Sequence, residues 1–120
     1  MRPVPMTVLI VDDHPSFRAS ARALLQAEGF EVVGEAEDGT SALSAARALS
    51  PQLILLDVQL PDLDGFEVAS RLTANGGGPL VVLTSSRDGS DYGPLVDESG
   101  AAGFIPKGEL SGAAIAALIP

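Results

Sequence analysis

The sequence predicts an α/β domain built on a parallel sheet, with helices on both faces. Short apolar segments alternate along the chain with segments of helical periodicity, which is typical of this class. The length of 120 residues is enough for one core and too short for two. Hydrophobic residues make up 46% of the chain but aromatic residues only 4%, so the core must consist of small aliphatic side chains. Such side chains suit helices that pack closely on a sheet.

Short apolar segments predict five strands. They cover 7–11, 30–34, 53–56, 80–83 and 103–105. The first, third and fourth are continuously apolar, as in strands that are buried on both faces of a sheet. Right-handed crossovers between parallel strands then place helices on both faces.

Apolar residues at helical spacing predict the helices between these strands. They are Phe17, Ala21, Leu24 and Leu25 in the first helix, Val68, Ala69 and Leu72 in the third, and Leu110, Ala113, Ala114, Ala117 and Leu118 in the last. The second helix is an alanine-rich segment over 40–49 that stops before Pro51, and Asp64 can cap the third. Gly93 and Pro94 weaken the fourth. A helix that begins near position 91 tolerates Pro94, because that proline then lies in its first turn.

Charge and composition exclude several classes of function. The chain has 7 basic and 16 acidic residues and a formal net charge of −9, which is unfavourable for binding a nucleic-acid backbone. It has no cysteine, which excludes disulfides, thiolate metal sites and thiol catalysis. No apolar segment approaches the ~20 residues of a membrane-spanning helix, and the N-terminus lacks the apolar stretch that is typical of a signal peptide. We therefore expect a soluble cytoplasmic protein that binds neither nucleic acid nor a membrane.

Polar residues follow the predicted strands where each of them ends. Asp12 and Asp13 follow the first strand, Asp57 the third and Thr84 the fourth, and the fifth runs into Lys107, the only lysine of the chain. Ligands bind beyond the carboxyl ends of the strands in sheets of this kind. Three carboxylates close together either raise a pKa or bind a cation, and an oxygen-only set suits Mg²⁺. Together with a nucleophile and donors for phosphoryl oxygens, this pattern points to phosphoryl transfer.

Four segments resemble the receiver domain of bacterial two-component response regulators. They are VLIVDDHPSFR at 8–18, LILLDVQLPDLDG at 53–65, VVLTSS at 81–86 and GFIPKGEL at 103–110. Their order and spacing match over nearly the whole chain, from about Thr7 to the end. The resemblance implies a flavodoxin-like (CheY-like) doubly wound sheet with the strand order 2-1-3-4-5. The motifs are most similar to receivers of helix-turn-helix (NarL/LuxR-type) regulators.

The resemblance implies a role for each acidic residue. Asp57 is expected to be the phosphoacceptor, which takes a phosphoryl group from the phosphohistidine of a sensor histidine kinase or a phosphotransfer protein. Asp13 and Asp57 are expected to bind Mg²⁺ (or Mn²⁺) directly, and Asp12 mostly through water. Gln59 is expected to offer its backbone carbonyl to the same ion.

The resemblance also implies how phosphorylation is sensed. Thr84 and Lys107 are expected to bind phosphoryl oxygens. Phe104 stands in the place of the family's switch aromatic, which turns inward when the hydroxyl residue moves towards the phosphate. Arg18 and Arg22 lie one turn apart on the first helix. They form either a solvated face or, because the family docks its kinase on this helix, a partner-docking surface.

One segment and two positions depart from the family pattern. The segment is 87–93, which is unusually rich in glycine and aspartate for the start of the fourth helix. Gly108 follows the lysine where proline is usual, and Ser85 follows the hydroxyl position where alanine or glycine is usual. A degenerate receiver that binds partners without phosphorylation is therefore the alternative function. A separate enzyme is disfavoured, because no P-loop sequence is present and Gln59 stands where a dehalogenase-type phosphatase needs a carboxylate. His14, the only histidine, is expected to be a surface residue without a role in the site.

Residues 1–6 are predicted to be a flexible N-terminal segment, and residues 7–120 a single receiver domain with no output domain in this chain. We favour a natural single-domain receiver, and a piece of a DNA-binding regulator is the alternative. The downstream protein stays open, as does the formation of a homodimer on phosphorylation.

Overall fold

Five parallel strands form one sheet in the computed structural model, which describes residues 5–74, 76, 78–86 and 92–119. The strands are β1 (Thr7–Val11), β2 (Glu31–Ala36), β3 (Leu53–Asp57), β4 (Leu80–Ser85) and β5 (Gly103–Pro106). Their order in the sheet is β2-β1-β3-β4-β5, so the predicted fold class and strand order are confirmed. The chain runs from β1 to β2 on one side of the sheet and then crosses to β3 on the other side, so the strand order switches between β1 and β3. Ligands bind at the carboxyl ends of the strands at such a switch point.

Five α-helices connect and follow these strands in the described part of the chain. They are α1 (Pro15–Ala27), α2 (Gly39–Leu49), α3 (Gly65–Thr73), α4 (Gly93–Glu98) and α5 (Gly112–Ala116). Asp64 caps α3 as predicted, since its side chain accepts a hydrogen bond from the backbone N–H of Glu67 at 2.8 Å. Pro94 lies in the first turn of α4, as expected, and the predicted start near Asp91 falls outside the described residues.

The last helix is shorter than its apolar pattern predicts. Leu110 lies before the helix, because Lys107–Glu109 forms a 3-10 turn and Ser111 provides the cap by accepting from the N–H of Ala114 at 3.0 Å. Leu118 lies beyond its end and still packs against the core. None of the helices in the described ranges has the length and apolar character needed to cross a membrane.

Side chains that alternate along the strands divide the core into two clusters, one on each face of the sheet. In β1, Leu9 and Val11 belong to one cluster, whereas Val8 and Ile10 belong to the other. Helices α2, α3 and α4 pack against the first cluster, and α1 and α5 against the second. Both faces of the central strands are therefore covered, which explains why all of β3 is buried up to Asp57.

Residues 1–4 of the predicted N-terminal segment lie outside the described residues. Met6, which belongs to the same predicted segment, already contacts the fold. Its carbonyl accepts a hydrogen bond from the N–H of Glu31 at 2.9 Å, and its side chain packs against the core.

Candidate functional site

The structure brings Asp12, Asp57 and Lys107 together at the carboxyl ends of the strands. Asp12 directly follows β1 and is fully buried, and Asp57 is the last residue of β3 and only 3% exposed. The Lys107 ammonium lies 2.6 Å from Oδ2 of Asp12 and 3.3 Å from Oδ2 of Asp57. It also lies 4.5 Å from the centre of the Phe17 ring on α1, a cation–π contact. The only lysine of the chain therefore bridges the two buried carboxylates.

The pKa values of the two carboxylates are shifted in opposite directions. Burial raises the pKa of Asp57, and the charge of Asp12 adds to this. Burial also acts to raise the pKa of Asp12, but hydrogen bonds from Lys107 and His14 outweigh it, so the pKa of Asp12 is lowered. Burial alone would lower the pKa of Lys107, but its two carboxylate partners raise it. A further positive charge near Asp57 would favour its ionised form.

The backbone beside Asp57 is fixed by its contacts with the start of α3. The N–H of Gly65 donates to the carbonyl of Val58 at 2.7 Å, and the N–H of Gln59 donates to Oδ1 of Asp57 at 3.0 Å. A Cβ atom at Gly65 would overlap the carbonyl oxygen of Asp57 and lie 2.7 Å from Cα of Val58. A glycine is therefore required for α3 to approach the end of β3 this closely.

Asp62, in the loop from β3 to α3, joins that loop to the start of α2. Its carboxylate accepts hydrogen bonds from the N–H of Gly39 at 2.7 Å and from the N–H and hydroxyl of Thr40 at 2.9 and 2.7 Å. The hydroxyl of Thr40 and these backbone donors hold the pKa of Asp62 far below its usual range. Sequence reasoning did not identify this residue, because its partners lie more than twenty positions away in the chain.

Arg18 holds the acidic loop, residues 12–14, which follows β1. Its Nη1 donates to the backbone carbonyl of Asp12 at 2.6 Å, and its Nε donates to Oε1 of Glu35 at 3.0 Å. Arg22 donates to the other oxygen of Glu35 at 2.8 Å. These two arginines lower the pKa of Glu35, Arg22 most strongly. The pair predicted as a solvated or docking face is therefore ion-paired with Glu35 at the end of β2, and only 16% of the Arg18 side chain is exposed.

His14 faces the same loop, although its side chain is 63% exposed. Its Nδ1 lies 2.9 Å from Oδ1 of Asp12 and 3.0 Å from Oδ1 of Asp13. Together with Asp57, these residues offer four ligand atoms that all lie within 4.8 Å of one another. Carboxylate oxygens dominate this set, so it fits the preference of Mg²⁺ for oxygen ligands. The expectation of a surface histidine holds for its exposure, but the ring contacts both carboxylates.

Thr84 lies beside Asp57 on the neighbouring strand. The two residues are paired in the register between β3 and β4, and Thr84 is 1% exposed. Its Oγ1 has no hydrogen-bond partner among the residues that the structure describes. A buried hydroxyl without a partner is unfavourable, so this position suits a group that accepts or donates a hydrogen bond. A phosphoryl oxygen on Asp57 would be such a group.

Phe104 lies in β5 at one end of a row of three aromatic rings. Its ring centre is 5.6 Å from that of Tyr92, and Tyr92 is 5.5 Å from Phe66 on α3. Phe104 and Tyr92 are both partly buried against the core. The predicted switch residue therefore links β5 to the start of α4.

The sheet order and this acidic site define a CheY-like receiver. The chain belongs to the response regulator receiver domain family, whose model matches residues 8–118.

Similar proteins support this membership. BvgA of Bordetella pertussis, a virulence-factor transcription regulator, is 43% identical over 102 residues, which cover 85% of this chain and 49% of BvgA. The DNA-binding response regulator MtrA of Mycolicibacterium smegmatis is 42% identical over 102 residues, which cover 83% of this chain and 43% of MtrA. The chain thus spans about half the length of the curated relatives it matches. The signal receiver domain of NarL from Mycobacterium tuberculosis superposes with a TM-score of 0.84 at 35% identity, covering 97% of this chain and 98% of that one.

Proposed function

We propose that this chain is a phosphorylation-dependent receiver that takes a phosphoryl group onto Asp57. The donor is the phosphohistidine of a sensor histidine kinase or a phosphotransfer protein. One observation carries the proposal: the buried Asp57 carboxylate lies 3.3 Å from the Lys107 ammonium, and Asp57 is in register with Thr84, whose hydroxyl has no partner in the described part of the chain. A nucleophile, a charge for one phosphoryl oxygen and a donor for another are therefore close together.

The reaction exchanges a P–N bond for a P–O bond. A carboxylate oxygen of Asp57 attacks phosphorus, the P–N bond breaks, and its electron pair remains on the imidazole nitrogen of the donor. Asp57 must be ionised to attack, and Lys107 favours that form. Asp12, Asp13, Asp57 and the backbone carbonyl of Gln59 would hold Mg²⁺ (or Mn²⁺), which supplies charge neutralisation at the phosphoryl oxygens.

The chain's own residues then transmit the modification. The hydroxyl of Thr84 donates to a phosphoryl oxygen, and Phe104 turns inward as Thr84 moves towards it. This repacks the aromatic row with Tyr92 and changes the partner-binding surface around β5. The protein that recognises the phosphorylated receiver is a downstream protein in the cytoplasm. MtrA is named as DNA-binding, but the matched part is 43% of MtrA, and we assign no direct DNA contact to this acidic receiver.

The test is the intact mass of the protein after incubation with acetyl phosphate and Mg²⁺. We expect the gain of one phosphoryl group, and its loss when Mg²⁺ is omitted or in Asp57→Asn. Asp97→Asn, which changes an exposed carboxylate on α4, serves as the matched control and should be modified like the wild type.

The same experiment separates the proposal from a degenerate receiver. Fast hydrolysis of the acyl phosphate could hide a gain in mass, so thermal unfolding is also measured with Mg²⁺ and beryllofluoride, which mimics the phosphoryl group. A rise in Tm that requires Asp57 supports the receiver. No gain in mass and no rise in Tm would refute it and favour phosphorylation-independent partner binding.

A further inference from the structure

His14 is placed to act on the acidic site directly. It is the residue before α1, with an extended backbone, and its side chain makes no capping hydrogen bond to that helix. Pro15 follows as the first helical residue. The ring is therefore free to lie over the acidic loop, where Nδ1 contacts the carboxylates of Asp12 and Asp13.

The separations between these atoms match those within one coordination sphere. In an octahedral site with metal–ligand distances of about 2.1 Å, neighbouring ligand atoms lie about 3.0 Å apart. Nδ1 of His14 lies 3.0 Å from Oδ1 of Asp13, which is expected to bind the ion directly, and 2.9 Å from Oδ1 of Asp12. The Asp57 carboxylate belongs to the same group of atoms, within 4.8 Å. Nδ1 can bind a metal in the neutral tautomer that carries its proton on Nε2.

We infer that His14 is a further ligand of the divalent ion held by the acidic site, and that it shifts the selectivity of this receiver towards metals that favour nitrogen. The inference rests on the proposed function, since it assigns a ligand to the same metal site. Carboxylates and water suit Mg²⁺, whereas imidazole suits Ni²⁺ and other later transition metals. His14 thus strengthens the binding of Ni²⁺ far more than that of Mg²⁺.

A purely structural role for His14 leads to a different result. As a hydrogen-bond donor to Asp12, the ring would hold the loop in place for any ion. Its removal would then weaken the binding of Mg²⁺ and Ni²⁺ by the same factor. The ratio of the two affinities separates a ligand from a loop-holding residue.

The first experiment is a calorimetric titration of tag-free protein with Mg²⁺ and with Ni²⁺. His14→Asn should weaken Ni²⁺ binding about tenfold or more and change Mg²⁺ binding by less than about twofold. Asp13→Asn is the control for the site itself and should weaken both ions. The exposed position of His14 makes the substitution compatible with folding, which unfolding in urea verifies.

The second experiment detects the nitrogen. His14 is the only histidine of the sequence, so any imidazole coupling in the pulsed electron paramagnetic resonance of the Mn²⁺-loaded protein comes from this ring. The coupling should be present in the wild type and absent in His14→Asn.

The outcomes distinguish this inference from the proposed function. Equal weakening of Mg²⁺ and Ni²⁺ binding by His14→Asn, or Mn²⁺ bound without nitrogen coupling, would refute the ligand role and leave the receiver intact. If Asp13→Asn leaves the affinity for both ions unchanged, or if the wild type binds no ion, the metal site of the proposed function is refuted, and the inference with it.

Discussion

Thr84→Val should stabilise the unphosphorylated protein while impairing its response to phosphorylation. The hydroxyl of Thr84 is buried and has no partner among the described residues. Leaving such a group unsatisfied costs about 1–3 kcal/mol, and valine keeps the branched shape that packs well in a strand. We expect a gain of about 1 kcal/mol in the free energy of unfolding. With a urea slope of about 2 kcal/mol/M, the midpoint rises by about 0.5 M.

Thr73→Val is the matched control, because it removes a hydroxyl that does have partners. Oγ1 of Thr73 lies 2.8 Å from the carbonyl of Ala69 and 3.1 Å from that of Ser99. Its loss should destabilise the protein by about 0.5–1.5 kcal/mol, the opposite sign to Thr84→Val. In the presence of Mg²⁺ and beryllofluoride, the rise in Tm should be smaller in Thr84→Val than in the wild type. A loss of stability in Thr84→Val as large as that in Thr73→Val would show that the reasoning about the buried hydroxyl is wrong.

Three further substitutions test the surroundings of the site. Gly65→Ala should destabilise the protein by about 1–3 kcal/mol in urea unfolding, because the new Cβ meets the backbone of Asp57. Gly93→Ala changes the same helix position, where a Cβ would have no atom of the described residues within 4 Å, and it should show no loss. Glu35→Gln should lower the free energy of unfolding by about 0.5–1 kcal/mol at pH 7. Because the pKa of Glu35 in the folded protein is lowered from 4.5, the difference from the wild type should vanish as the pH falls through that lowered value. Asp57→Asn should raise the Tm of the metal-free protein at pH 7, since the raised pKa of Asp57 means that its ionisation destabilises the fold. The difference in Tm between the variant and the wild type should shrink on acidification, as Asp57 becomes protonated. Equal Tm values at pH 7 would contradict this reasoning.

The fold was predictable because its signals are local. A continuous apolar segment such as 53–56 predicts a strand buried on both faces, and helical spacing predicts the helices that cover it. The carboxyl ends of parallel strands meet at one edge of the sheet, so the sequence alone groups Asp12, Asp57 and Lys107. The start of α5 was less predictable, since the 3-10 turn at Lys107–Glu109 competes with the apolar pattern that begins at Leu110.

The supports of the site were not predictable, because they depend on distances between elements. Arg18 and Glu35 are seventeen positions apart, and they meet only because α1 packs beside the end of β2. Asp62 reads as an ordinary loop residue until α2 is placed against the loop from β3 to α3. His14 gave no local signal that separated an exposed ring from one lying over two carboxylates.

The aromatic row gives this protein a built-in optical probe. Tyr92 is the only tyrosine and the chain contains no tryptophan, so the intrinsic fluorescence of the unlabelled protein reports on one position. That position lies between Phe66 and the switch candidate Phe104, 5.6 Å from the latter. Rotation of Phe104 would change the surroundings of this single fluorophore. Stopped-flow emission can therefore follow the conformational response in real time, without a dye and without the background that tryptophans elsewhere would add.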